Sequence, residues 1–145
     1  MTQIIYLALF LGQFIFAGVV YYLISSNQGI ENQGENMDFF QYLVPIVMIS
    51  AIGMGYFLYR NKLQQVNEMQ ELSEKMNHYR VNNIIRWAFL EAANLFAIVV
   101  TLITSNLYFI VFFGLGIVVF FLTRPTLDNF IKEYSLSFDE QKLLS

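Results

Sequence analysis

The sequence predicts an all-α integral membrane protein: an antiparallel up-down bundle of four transmembrane helices with both termini in the cytoplasm. Four apolar runs carry this prediction, each near the ~20 residues that a membrane-spanning helix needs, and they occupy about residues 4–24, 40–59, 84–104 and 107–122. The eight Lys and Arg residues all lie on one side of these runs. Four spans leave little chain for anything else, so residues 1–145 are predicted to form a single membrane domain.

The one-sided charge distribution predicts the orientation. Five basic residues lie between positions 60 and 86, and the other three lie in the tail, residues 123–145. The loop 25–38 has acidic residues but no basic ones. Cytoplasmic loops retain Lys and Arg whereas translocated loops are depleted of them. We therefore expect this loop outside, the tail inside, and the protein in a bacterial inner membrane.

The composition argues against several classes of function. The chain has no cysteine and only one histidine, His78, so thiolate chemistry, Cys-based metal sites and bis-His haem ligation within one chain are excluded. It also lacks a basic stripe with interleaved aromatics, a Ser/His/Asp set and a phosphate-binding glycine loop. We therefore predict no enzymatic activity, no cofactor, no metal site and no nucleic-acid partner.

The first two spans have ordinary boundary signals. Tyr21 and Tyr22 end the first run with side chains that suit a membrane–water interface. Pro45 falls in the first turns of the second span, where a missing N–H is tolerated best. Gln13 is the only amide side chain in the middle of the first run.

The basic connection 60–83 is predicted to be a cytoplasmic helical hairpin that continues the second and third spans. No Gly or Pro occurs from Tyr56 to Phe113, and apolar residues recur at helical spacing. The turn is expected near Ser73–Asn83, where asparagines cluster, and Glu71 is expected to pair with Lys75 at i,i+4. The alternative is a flexible polar loop.

The third and fourth spans are joined by Ser105-Asn106, a connection so short that they should be antiparallel neighbours. After the fourth span, residues 127–134 have the pattern of a short amphipathic helix, and Ser137 with Glu140 matches a capping box. This tail is expected to lie on the inner membrane surface, on the hairpin or on a partner.

Glu91 is the strongest candidate for chemistry, because ionisable groups inside a membrane are costly and usually functional. Asn94 follows on the same helix, and Gln13 is a possible partner, so these three are the candidate proton- or ion-handling residues. The alternative is structural: Glu91 extends to the interface or pairs with Arg86, and the amides join helices.

Two functional hypotheses follow. The first is a non-enzymatic accessory, assembly or scaffold subunit that binds a protein partner or a second copy through its hairpin and tail. The candidate partner-binding residues are the apolar ones of these segments: Leu63, Val66, Met69, Leu72, Met76, Phe130 and Tyr134. The second hypothesis is a small oligomeric proton- or cation-coupled transporter or channel that uses Glu91.

Overall fold

The computed structural model describes residues 2–26 and 37–144, and every element in those ranges is helical. Most of the external loop predicted at 25–38 therefore lies outside the described residues. The α-helices are α1 (Thr2–Ser25), α2 (Met37–Leu63), α3 (Leu72–Thr104), α4 (Ile110–Leu122), α5 (Leu127–Glu133) and α6 (Phe138–Leu144). Short 3₁₀ helices, Gln64–Glu68 and Leu107–Phe109, precede α3 and α4. The predicted all-α class is confirmed.

Three of these helices, α1, α2 and α3, are long and apolar enough to cross a membrane. A fourth candidate arises only if α4 is counted together with α5, from which it is bent by 68°. Leu107–Leu122 alone is ~24 Å long at ~1.5 Å per residue, somewhat short of a ~30 Å hydrocarbon core. The structure therefore gives three to four candidate spans.

Helix α3 lies at the centre of the fold and contacts α1, α2 and α4. Small residues on α3, Ala93 and Ala97, are buried among side chains of the other helices, including Val20, Val44 and Phe113. Small side chains let helices approach closely, which matters where no hydrophobic effect drives their association. The position of α3 explains why it holds most of the buried polar groups described below.

The chain reverses direction between α2 and α3 earlier than the sequence suggested. Helix α2 ends at Leu63, a 3₁₀ helix follows, and α3 begins at Leu72 and continues without a break through 73–83. The predicted turn at Ser73–Asn83 is therefore wrong. Asn82 and Asn83 do not break the helix because their side-chain amides donate to the carbonyls of Tyr59 and Tyr79, at 3.1 and 2.9 Å.

The tail folds back onto the start of α3. Phe130, Tyr134 and Leu136 pack with Val66 and Tyr79 in a small core, and all five side chains are buried. The core is extended by partly buried apolar neighbours, Leu63, Leu72, Ile131 and Leu144. We call residues 60–83 and 123–144 together the tail module.

Two local predictions, one for the tail and one for the connection 60–83, have different outcomes. The capping box is present, since Ser137 N donates to Glu140 Oε2 at 2.7 Å and Glu140 N donates to Ser137 Oγ at 3.3 Å. The expected Glu71–Lys75 pair is wrong. Lys75 Nζ instead lies 2.8 Å from Glu140 Oε1, because the tail brings α6 within reach of it.

Candidate functional site

Gln13 and Asn94 form a polar pair buried between α1 and α3. Asn94 Nδ2 donates to Gln13 Oε1 at 2.6 Å, and Gln13 Nε2 donates to the Leu9 carbonyl at 3.2 Å. Both side chains are fully buried, at 0% exposure. A hydrogen bond with so little access to solvent joins the two helices and fixes their rotation relative to each other.

Gly116 on α4 makes the space that Asn94 occupies. A Cβ atom built on Gly116 would lie 1.6 Å from Asn94 Oδ1 and 2.7 Å from its Cγ. Any side chain larger than hydrogen would therefore displace the amide. Three helices, α1, α3 and α4, thus meet at one polar point.

Glu91 is not part of this polar pair. It lies one turn before Asn94 at the border of the buried face of α3, with Leu90 and Asn94 buried and Ala88 and Ala92 exposed. No hydrogen bond or ion pair joins its carboxyl to the described residues. Neither of the suggested partners is used: Gln13 bonds Asn94, and Arg86 bonds Asn83 and Thr123.

A second polar cluster lies where the C-terminal ends of α2 and α4 meet residues 83–87 of α3. The Arg86 guanidinium lies 4.0 Å from the centre of the Tyr59 ring and donates to Asn83 Oδ1 at 2.7 Å. The Thr123 carbonyl, just after α4, accepts from both Arg86 Nη2 and Trp87 Nε1 at 3.2 Å. These donors satisfy a carbonyl that has no partner within its own helix. We call this group the junction cluster.

Three side-chain links attach the tail to the junction cluster and to α3. Tyr59 donates its hydroxyl hydrogen to Glu133. Tyr134 Oη lies 2.8 Å from His78 Nδ1, and Lys75 forms the ion pair with Glu140 described above. Burial of Tyr134 raises the pKa of its phenol, so this group stays protonated at neutral pH. The hydrogen bond from Lys75 lowers the pKa of the Glu140 carboxyl, which stays ionised.

The candidate partner-binding residues are distributed unevenly. Val66, Phe130 and Tyr134 are buried in the core of the tail module, and Leu63 and Leu72 are partly buried against it. Met76 is 48% exposed, and Met69 is half-buried. Most of the apolar side chains that the sequence offered for a partner are thus used to fold the tail onto the connection.

The junction cluster was missed at the sequence level. Asn82 and Asn83 were interpreted as helix breakers, and Tyr59 as the end of a span. A signal was nonetheless present: Arg86 and Trp87 follow the two asparagines within one helical turn of the start of the third run. In the described part of the chain, no group of three or more His, Asp or Glu residues is placed to hold a metal ion.

Comparison of the chain with known protein families, curated proteins and solved structures gives no match.

Proposed function

We propose that this protein is a non-enzymatic accessory, assembly or scaffold subunit of a membrane complex. Four spans, α1 to α3 and the segment Leu107–Leu122, anchor it in a bacterial inner membrane with both termini in the cytoplasm. The tail module is its binding surface. The observation that carries this proposal is the folding of the tail onto the start of α3, which gives the basic side of the chain a defined shape.

Exposed apolar side chains on α6 support the choice of a protein partner. Phe138 and Leu143 are 71% and 78% exposed, whereas the same tail buries Phe130 and Leu136. A contiguous exposed apolar patch is typical of interaction surfaces, and we propose that Phe138 and Leu143 contribute to such a patch. We place the partner contact on this outer surface of α6 and not on the residues buried beneath it.

The orientation is tested by labelling single cysteines, because the native chain has none to interfere. Ser26→Cys should react with a membrane-impermeant maleimide in intact cells. Gln65→Cys and Asn129→Cys, both exposed positions in the tail module, should react only after the membrane is permeabilised. Labelling of Gln65→Cys or Asn129→Cys in intact cells would refute the proposed topology.

The scaffold role is tested by purification of the tagged full chain from native membranes in mild detergent. A partner should co-purify in fixed stoichiometry, and its yield should fall severalfold in the double variant Phe138→Gln, Leu143→Gln. Asn129→Ala, an exposed polar change in the same module, is the matched control. A protein that purifies alone, or a partner retained equally by all three forms, would contradict the proposal.

Glu91 favours a second candidate function, a small oligomeric proton- or cation-coupled transporter or channel. Its carboxyl is partly buried at the level of the spans and has no described partner. The paired amides of Gln13 and Asn94 weigh against it, since they bond each other and are fully buried. Proton or cation flux in liposomes that is lost in Glu91→Gln but kept in Gln41→Glu would establish this function.

A further inference from the structure

Two adjoining pockets form one groove beside the first residues of α1. They have volumes of about 280 and 330 Å³, and both are lined by Thr2 and Met76. The groove therefore runs from the C-terminal tail, residues 125–144, across Met76, to the first turns of α3. Met76 is 48% exposed and Leu127 is 51% exposed, so the groove opens to its surroundings.

One half of the groove is apolar. It is lined by Tyr79 and Phe130, whose ring centres lie 4.9 Å apart, and by Pro125, Leu127 and Leu144. An alkyl chain placed here would contact aromatic and aliphatic side chains along its length. Because its lining is almost entirely aromatic and aliphatic, this half favours a hydrocarbon ligand.

The other half is also lined largely by apolar surface, but it contains hydroxyl and amide side chains and one cationic side chain. It is lined by Ser73, Asn77 and Arg80 together with Thr2. Arg80 Nη2 donates to Asn77 Oδ1 at 2.6 Å, which orients the guanidinium. Arg80 is the one charged side chain among the described residues lining either pocket. A guanidinium with neighbouring hydroxyl and amide groups is well suited to bind a phosphate.

The groove lies at the boundary of the apolar spans. Arg80 precedes Ile84, the first residue of the third apolar run, by four residues, or ~6 Å along the helix. Thr2 lies two residues before the first run, and Pro125 lies three residues after α4. If the chain is inserted as proposed above, the groove is at the level of the phospholipid headgroups of the cytoplasmic leaflet.

We propose that this groove binds one anionic phospholipid of the inner leaflet. Its phosphate lies against Arg80, Asn77 and Thr2, and the first part of an acyl chain lies against Tyr79 and Phe130. The inference rests on the proposed insertion and orientation but not on a protein partner. The lipid would bridge α1, α3 and residues 125–144, so binding should stabilise the attachment of the C-terminal tail to α3.

The test uses the full chain purified in mild detergent, with thermal unfolding followed as lipid is added. Phosphatidylglycerol should stabilise the protein more than phosphatidylcholine with the same acyl chains, and native mass spectrometry should detect one retained phosphatidylglycerol. Arg80→Gln should weaken binding about fivefold, the equivalent of ~1 kcal/mol for one basic residue near an anionic headgroup. Met76→Glu should weaken it further, because a carboxylate would lie between the two halves.

Two controls make the outcome decisive. Lys132→Gln removes an exposed cation of the tail outside the groove and should leave the preference for phosphatidylglycerol intact. Glycerol 3-phosphate should not stabilise the protein, because it lacks the chain that fills the apolar half. Equal effects of the two lipids, an unchanged preference in Arg80→Gln, or stabilisation by glycerol 3-phosphate would overturn the proposal. This assay measures neither partner binding nor cysteine labelling. A negative result would therefore contradict the lipid site and would not contradict the scaffold role, which is tested by co-purification.

Discussion

The contact between Gly116 and Asn94 gives the sharpest prediction. In Gly116→Ala the new methyl group would lie 1.6 Å from Asn94 Oδ1, far below any van der Waals separation. Either Asn94 rotates and gives up its 2.6 Å bond to Gln13, or α4 moves away from α3. Overpacking of a core costs ~1–3 kcal/mol and an interhelical hydrogen bond in a membrane protein ~0.6–1.7 kcal/mol, so either response gives an expected loss of stability of about 1–3 kcal/mol.

Gly114→Ala is the matched control, because it changes the same residue type on the same helix where no atom lies within 4 Å of the new Cβ. Unfolding of both variants in detergent by heat and by denaturant should show Gly116→Ala destabilised and Gly114→Ala nearly unchanged. In an Asn94→Ala background the colliding amide is gone, so Gly116→Ala should then cost less than ~1 kcal/mol. Equal stability of the two glycine variants in the native background would refute the reasoning.

Two further predictions concern the tail module. Phe130→Ala removes a ring that is 5% exposed and should cost ~3–5 kcal/mol of stability, so the tail should become sensitive to proteolysis. Leu127→Ala changes a side chain that is 51% exposed and should leave the tail protected. Equal protection in both variants would contradict the observed core. Lowering the pH should loosen the tail, because the carboxyl of Glu140 has a pKa below its ordinary value of 4.5. Its contribution is complete above the pKa of the unfolded chain and is lost as the pH falls through the lower folded value. The protection factors of the α6 amides, which compare exchange with that of an unstructured peptide at the same pH, should therefore fall in this acidic range. Glu140→Gln should show low protection factors already at neutral pH, and high protection factors at every pH in this variant would argue against a role for the ion pair with Lys75.

The helical class was predictable from the sequence because hydropathy and the absence of helix breakers are local properties. Residues 2–25 and 72–104 are helical in the structure, close to or beyond the apolar runs from which helices were predicted. The capping box at Ser137 and Glu140 was also predictable, since its two hydrogen bonds join residues three positions apart. Both kinds of feature require only neighbouring residues.

The turn position and the ion pair of Lys75 were not predictable in this way. Asparagine favours turns because its side-chain amide competes with the backbone for hydrogen bonds. In α3 the Asn82 amide instead donates to the Tyr59 carbonyl, a partner that is present only because α2 lies beside α3. Lys75 likewise pairs with a residue 65 positions away. A local rule such as i,i+4 pairing cannot take account of Glu140, which lies near Lys75 only because the tail packs on α3.

The sequence by itself predicted an all-helical chain with four apolar segments, of which the structure gives three to four as candidate spans, and it drew attention to Gln13, Glu91 and Asn94. The tertiary structure decided which of these polar groups meet. Asn94 bonds Gln13 across 81 positions of sequence and is fitted against Gly116, while Glu91, one helical turn away, remains outside the pair. The physical reason is that a hydrogen bond depends on the rotation and relative height of two helices, and these are fixed by the packing of all the helices together.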